Sequence, residues 1–367
     1  MPTSERSTAA RNSLTSLLRT KQLILCVGCG GVGKTTTAAA LAVSAALLGR
    51  KTAVLTVDPA QRLKTALGLD RLSHTPHRIQ LNGAARSFDA LALDTKHMFD
   101  ELVQRFAPNQ EVAERIFANR LYRELSSELA GSAEYMAMEK LHDLVDSGTY
   151  EVLIVDTPPS AHVRDLLAAP SRLLTLLASR AVGLLQAPAR LVENAPTRTT
   201  RFVFRALLEA LQRWSGLPLL RDLADFVSGF ESMLQRFADR AERTSKMLRE
   251  EYTAFLLVTT PEPRTLAIAQ EFAAELKGGR YPIAGVVANR VHCFGGQQRT
   301  KPNIDDPFVR RLWENYLALT ERSQRDAQAL AELVRSSGLP LLATIPVQSN
   351  PPVSVSALCE MARYLLA

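Results

Sequence analysis

Short apolar runs rich in β-branched residues recur along the chain, and the intervals between them are long enough to hold a helix. The runs are LILCV (23–27), TAVLTV (52–57), FDALAL (88–93), EVLIV (151–155), FLLVTT (255–260), IAGVVAN (283–289) and PLLATIP (340–346). Continuous apolar runs of this length are typical of strands that are buried on both faces. The pattern therefore predicts an α/β fold with a mostly parallel central sheet and helices on both faces.

Two long stretches lack strand character, at about 99–147 and 168–251. In the second stretch, leucine and phenylalanine recur at roughly helical spacing. We interpret both as helical inserts that form a subdomain above the carboxyl ends of the strands. The predicted organisation is a flexible basic N-terminus at 1–20, followed by one α/β domain at 21–367 that the inserts interrupt.

The net charge of +7 is concentrated in one segment, because residues 171–221 contain eight arginines and two glutamates. Such a segment indicates a solvated arginine face, an anionic membrane surface or an acidic partner. No DNA- or RNA-binding motif accompanies it, so a nucleic-acid partner is not expected. The N-terminus has no apolar core typical of a secretory signal, and no apolar run is long enough to span a bilayer. A cytoplasmic protein is expected.

A glycine-rich segment, GCGGVGKT at 28–35, fits the pattern G-x-x-x-x-G-K-[ST]. It follows the first predicted strand and precedes a Thr/Ala-rich predicted helix at 36–48, which is the context that a phosphate-binding loop requires. Glycines let several backbone N–H groups point at phosphate, next to the positive end of the helix. Lys34 would reach the β- and γ-phosphates, and the Thr35 hydroxyl would bind Mg²⁺. The predicted ATP-binding residues here are Gly28, Cys29, Gly30, Gly31, Val32, Gly33, Lys34, Thr35 and Thr36.

Acidic residues follow two of the other predicted strands. Asp156 ends the run EVLIV, where a parallel strand points its carboxyl end at the phosphates, so it is the expected magnesium-shell carboxylate beside Thr35. Asp58 follows the second strand and would orient the attacking water. The alternative is that both aspartates only cap strand ends in Asp-Pro and Asp-Thr-Pro-Pro turns.

Together these segments resemble the ArsA-like branch of the deviant P-loop ATPases, which includes arsenite-pump ATPases and guided-entry factors for tail-anchored membrane proteins. The resemblance is carried, in the same order, by GGVGKTT, DPA-x-x-L, Gly131–Glu134 and DTPPSAH, and it extends from about residue 22 to the end. It implies an ATPase with Mg²⁺, with Asp58 and Lys34 as catalytic residues, and a dimer that nucleotide opens and closes. It also implies that Asn289 reads adenine and that Ile345-Pro346 begins the loop over the base. An amide suits adenine, because it both donates and accepts hydrogen bonds.

The chain departs from the resembled family at Cys29, where the deviant P-loop has a lysine that reaches the phosphates of the other subunit. A thiol cannot replace that charge. Three hypotheses follow. Hydrolysis is slow, or a cation comes from elsewhere, for which Arg62 and Arg164 are nearest to DPA-x-x-L and DTPPSAH, the segments that resemble the family's switch I and switch II. The third is that a heteromeric partner carries the lysine. The dimer is therefore either a homodimer or a heterodimer with a lysine-bearing paralogue.

Cys26 and Cys29 form a C-x-x-C pair, but one lies in a predicted buried strand and the other in the phosphate loop, so a zinc site there is not expected. The paired C-x-x-C with which guided-entry factors clamp a dimer has no counterpart, so no zinc clamp is expected. Cys293 and Cys359 stand alone and do not match the arsenite-binding cysteines of the pump ATPases.

Three functional classes remain open. The first is an ATPase switch whose closure binds a hydrophobic client or partner protein in a groove lined by the leucine-rich inserts. The alternative is that these leucines only pack the inserts onto the sheet. The second is a positioning ATPase of the MinD/ParA type, which acts at a membrane or nucleoid surface and would be peripheral to the membrane. The third is a regulatory ATPase that binds a protein partner.

Overall fold

The computed structural model describes residues 14–57, 60–81, 86–118, 133–158, 167, 236, 239–294, 306–350 and 352–366. The chain divides into two units, the first at 1–93, 143–164 and 248–367 and the second at 94–142 and 165–247. The basic segment at 171–221, and with it most of the second predicted insert, lies outside the described residues. The first unit contains the sheet.

Eight strands form one sheet. They are β1 (Leu23–Val27), β2 (Thr52–Thr56), β3 (His77–Gln80), β4 (Ser87–Ala92), β5 (Val152–Asp156), β6 (Thr253–Thr259), β7 (Ile283–Val291) and β8 (Leu341–Pro346). Their order is β3-β4-β2-β5-β1-β6-β7-β8, and all neighbours pair in parallel except β3 and β4. The prediction of a mostly parallel α/β sheet is confirmed.

The described helices lie between and around these strands. They are α1 (residues 14–20), α2 (Lys34–Leu47), α3 (Ala60–Leu67), α4 (Thr95–Phe106), α5 (Gln110–Ala118), α6 (Ala133–Asp146), α7 (residues 239–247), α8 (Pro263–Gly278), α9 (Pro307–Ser337) and α10 (Val355–Leu366). No helix in the described part of the chain is both long and apolar enough to cross a bilayer.

The central strands β1, β2, β5 and β6 are buried along their whole length, which explains why they read as uninterrupted apolar runs. Helix α2 is also buried on nearly all sides, because alanines fill its middle and let the sheet and α10 approach closely. It starts at Lys34 directly after Gly33, whose φ of 91° ends the preceding loop in the left-handed region.

Of the segment 1–20, which was predicted to be flexible, the structure describes only residues 14–20. Residues 14–20 are helical, and Leu14 and Leu18 are fully buried. The carbonyl of Leu18 accepts a hydrogen bond from the Arg50 guanidinium at 2.8 Å. These leucines join the core, so residues 14–20 belong to the folded α/β unit and not to a flexible segment.

Candidate nucleotide-binding site

The loop after β1 takes a conformation that depends on glycine. Gly28, Gly31 and Gly33 have φ angles of 153°, 82° and 91°. A Cβ atom on Gly28 would lie 2.2 Å from the backbone oxygen of Val258, at the end of the neighbouring strand β6. Because a backbone atom cannot move aside, the sheet itself holds the start of this loop close to β6.

Asn289 near the end of β7 fastens the same loop from the other side. Its Nδ2 donates a buried hydrogen bond to the Val32 oxygen at 2.8 Å, and its Oδ1 accepts one from the Arg290 N–H at 2.9 Å. A Cβ on Gly33 would lie 2.2 Å from Nδ2, so this glycine makes room for the amide. An amide has a second N–H and a second acceptor lone pair, and both remain for a ligand. The contact with the loop was not foreseen from the sequence.

A cavity of about 550 Å³ opens between the loop, α3 and the segment after β8. Its volume lies in the range of small-molecule sites, roughly 300–1,000 Å³. The predicted ATP-binding residues that line it are Gly31, Gly33, Lys34, Thr35, Thr36, Asn289 and Pro346. Gly28, Cys29, Gly30 and Val32 are not among its lining residues: Gly28, Cys29 and Val32 are buried, and Gly30 is exposed. The lining also includes Arg62 and Gln348.

Lys34 is the buried cation of the site, with only 5% of its surface exposed. Its Nζ donates to the Cys29 oxygen at 3.0 Å, so the side chain folds back along the loop and closes it. An ammonium held at the start of α2 adds its charge to the positive end of the helix. The arrangement favours a ligand with several negative oxygens.

Asp156 ends β5 directly beside β1, where it pairs in register with Cys26. It is fully buried, and its Oδ2 accepts a hydrogen bond from the Thr56 hydroxyl at 3.0 Å. The next residue, Thr157, donates from its hydroxyl to the Cys26 oxygen at 2.7 Å. Together with the Thr35 hydroxyl, the Asp156 carboxylate offers the hard oxygen ligands that Mg²⁺ prefers, so these residues fit the metal.

The two cysteines of the C-x-x-C pair have different surroundings. Burial and the Asp156 charge raise the pKa of Cys26 far above its usual range, although Lys34 acts in the opposite direction. Burial also raises the pKa of Cys29, more than the Lys34 charge lowers it. Neither environment favours the thiolate form that a metal ligand requires. Among the described residues, no group of three His, Cys, Asp or Glu side chains could hold a metal ion.

Several predicted residues lie outside the described part of the chain. They are Asp58, Gly131, Ser132, residues 159–162 of DTPPSAH, and Arg164. The side chain of Glu134 lies outside it as well. The other suggested cation, Arg62, is brought to the cavity by α3.

A parallel α/β sheet with a glycine-rich phosphate loop between β1 and α2 defines the class of P-loop nucleotide hydrolases. A sequence model of the anion-transporting ATPase family, ArsA_ATPase, matches residues 21–300. The chain belongs to this family of ATPases. The resemblance to ArsA-like proteins is thereby confirmed, and the match does not favour the positioning-ATPase alternative.

Relatives with assigned names are similar at modest identity. The chain is 31% identical to "ATPase ASNA1 homolog 1" of Paramecium tetraurelia over 157 residues. The aligned region covers 42% of this chain and 45% of that protein. Over 161 residues it is 28% identical to "ATPase GET3" of Malassezia globosa, with coverage of 43% and 46%. Over 283 residues it is 25% identical to "ATPase get3" of Aspergillus terreus, with 76% of each chain covered. The first two matches thus span less than half the length of those relatives.

Proposed function

We propose that this chain hydrolyses ATP with Mg²⁺ as a subunit of a dimeric switch, whose nucleotide-driven closure is coupled to binding of a hydrophobic client or partner protein in the cytoplasm. The observation that carries the proposal is the cavity that joins Lys34 and the N-terminus of α2 to Asn289 and Pro346. One end offers positive charge and N–H groups for phosphates, and the other offers an amide and an apolar wall for a base.

Each residue of the site has a task in this proposal, including Asp58, which lies outside the described residues. The loop N–H groups and Lys34 bind the β- and γ-phosphates and neutralise the charge that develops during transfer. Asn289 keeps the loop in the binding conformation and uses its remaining N–H and lone pair to read adenine. Pro346 closes over the base. Asp58 orients the attacking water and accepts its proton.

Mg²⁺ would be held by Thr35 and Asp156, and when bound it neutralises charge on the phosphate oxygens. The hydrogen bond from Thr56 fixes the carboxylate of Asp156 for this role. Replacing Asp156 by Asn should therefore remove most of the difference in ATP affinity between Mg²⁺ and EDTA buffers. A Thr56→Val control should reduce this difference only in part.

The dimer part of the proposal rests on the family resemblance and on Cys29. The thiol stands where the deviant P-loop has its cross-subunit lysine, and a neutral sulfur cannot stabilise phosphate charge in the other subunit. Hydrolysis is then slow, uses another cation such as Arg62, or needs a lysine-bearing partner subunit.

The test measures steady-state ATP hydrolysis together with oligomeric state for the wild type, Asp58→Asn and Cys29→Lys. Asp70→Asn, an exposed change of the same type after α3, is the matched control. If the wild type hydrolyses ATP as a dimer, Asp58→Asn abolishes the activity and Cys29→Lys changes it little, the chain is a self-sufficient ATPase. A nearly inert wild type that Cys29→Lys activates points to a lysine-bearing partner. A wild type that binds no ATP would contradict the proposal.

A further inference from the structure

Two arginines have a backbone conformation that residues with a side chain rarely adopt. In the part of the chain that the structure describes, Arg280 and Arg290 are the two non-glycine residues with positive φ, at 57° and 56°. Both φ angles are those of the left-handed α region, where the Cβ atom crowds the following carbonyl oxygen. Each position therefore needs a reason that offsets this strain.

The conformation of Arg280 is explained by the end of a helix. Arg280 follows Gly279 at the C-terminus of α8, and its N–H donates to the Lys277 oxygen at 3.0 Å. The next N–H, that of Tyr281, donates to the Leu276 oxygen at 2.9 Å. Such a pair of hydrogen bonds closes the last turn of a helix around one left-handed residue, so the φ of Arg280 is structural.

Arg290 ends no helix and lies instead in a bulge of the sheet. Ala288 of β7 pairs with Thr344 of β8, and Val291 pairs with Pro346, with a shift of register between the two pairs. Because β7 has one more residue than β8 in this interval, its backbone must bend there. Bulges beside binding sites change the direction in which a side chain points. The strain at Arg290 thus accompanies a re-aimed side chain.

The side chain of Arg290 lines the cavity of about 550 Å³ that also contains Lys34. Arg290 is exposed, and its guanidinium forms no ion pair or hydrogen bond with the residues that the structure describes. No described residue in the lining of the cavity is acidic, so no carboxylate among them competes for this guanidinium. Asn289 fixes the backbone, because its Oδ1 accepts the Arg290 N–H at 2.9 Å. The bulge therefore brings a cationic side chain to the space that a ligand would fill.

The position of Arg290 favours the base of a nucleotide over its phosphates. The phosphate end of the cavity lies at the start of α2, where Lys34 is buried. Arg290 lies between Asn289, the proposed adenine reader, and Val291, which pairs with Pro346. A guanidinium is planar and weakly hydrated, so it stacks well on the face of an aromatic ring. It can cover a face of the purine while the amide of Asn289 binds an edge.

We propose that Arg290 is a binding residue for the adenine base, with its guanidinium stacked on the face of the ring. The proposal rests on the ATP site proposed above. It gives the left-handed φ of Arg290 a function, because the bulge aims this side chain at the base end of the cavity.

The test measures the binding of MgATP and of Mg-tripolyphosphate, which lacks the base, by titration calorimetry. Arg290→Ala should weaken MgATP binding about 10-fold and change tripolyphosphate binding less than about twofold. Arg290→Lys should not restore the affinity for MgATP, because lysine keeps the charge but lacks the planar surface. Arg280→Ala is the matched control, since it changes the same residue type at nearly the same φ outside the cavity lining, and both affinities should stay unchanged.

Glycine at the same two positions separates the side chain from the backbone strain. Glycine adopts the left-handed conformation without the Cβ clash, so Arg290→Gly should be as stable to heat as Arg280→Gly. Only Arg290→Gly should lose MgATP affinity, by the same roughly 10-fold factor as Arg290→Ala. This pair of variants shows that the lost affinity does not come from a damaged fold.

The proposal is overturned if Arg290→Ala binds MgATP within about twofold of the wild type. It is also overturned if Arg290→Ala weakens tripolyphosphate binding as much as MgATP binding and Arg290→Lys restores both, because Arg290 would then contact phosphate. A wild type that binds no MgATP would contradict the proposed function and this inference with it. A wild type that binds MgATP without hydrolysing it, and loses affinity with Arg290→Ala as expected, would refute only the proposed hydrolysis and support the base contact.

Discussion

Asn289→Ala separates two roles of one amide. The change removes the buried hydrogen bond from Nδ2 to the Val32 oxygen, which is 2.8 Å long. Val32 is only 1% exposed, so water does not readily replace the lost donor. Leaving a buried acceptor unsatisfied costs about 1–3 kcal/mol. At about 1.4 kcal/mol per factor of ten, the loop should bind phosphates roughly 5- to 150-fold more weakly.

The assay is titration calorimetry with two ligands, MgATP and Mg-tripolyphosphate, which has the phosphates without the base. If Asn289 holds the loop, Asn289→Ala should weaken the binding of both, and the loss for MgATP should be the larger because base contacts are also lost. Gln270→Ala on α8 is the control, since it deletes a side-chain amide hydrogen bond to Ser336 of α9, away from the loop. Tripolyphosphate affinity within twofold of the wild type would refute the loop-holding role and leave Asn289 as a base reader only.

Gly28→Ala should abolish measurable ATP binding, because the new Cβ would lie 2.2 Å from a backbone oxygen. Gly31→Ala has no atom within 4 Å of its Cβ, so it should cost only the strain of a φ of 82°, about 1 kcal/mol. Equal losses of ATP affinity in the two variants would be inconsistent with this geometry. Arg240→Met should lower the free energy of unfolding of the second unit by about 3–5 kcal/mol, because the Arg240 guanidinium pairs with the fully buried Glu139. Urea denaturation measures this free energy, and a denaturation midpoint equal to that of the wild type would contradict the prediction. Burial and a neighbouring aspartate raise the pKa of the Cys293 thiol, so its thiolate fraction at pH 8 is below that of an ordinary thiol. The rate at which iodoacetamide labels Cys293 should therefore be lower than the rate for glutathione at pH 8, and it should still increase above pH 9. A labelling rate that stops increasing below pH 8 would contradict this prediction.

Buried strands could be located from the sequence because burial on both faces demands apolar residues at every position. Seven of the strands follow the apolar runs to within about two residues at either end. The eighth, β3, was missed, because this antiparallel edge strand buries only Ile79 and reads as polar. A short edge strand carries too few apolar residues to stand out.

The phosphate loop could also be predicted, because its function depends on residues that are adjacent in the sequence. Glycines that adopt positive φ, a lysine and a threonine occupy fixed positions between one strand and one helix. The structure adds the reason for individual glycines: Gly28 is pressed against Val258, and Gly33 against the amide of Asn289. Neither neighbour is close in sequence, so no local pattern could reveal the contact.

By itself, then, the sequence determined the sheet, the loop and the family, since these depend on burial patterns and on residues that act within one short segment. Only the tertiary structure decided what each distant group touches. It placed Asn289 on the loop as well as at the cavity, and it divided α9 into a covered half and an open half. The same helical stripe carries apolar residues in both halves, and whether they are buried or exposed depends on where the neighbouring strand β7 ends.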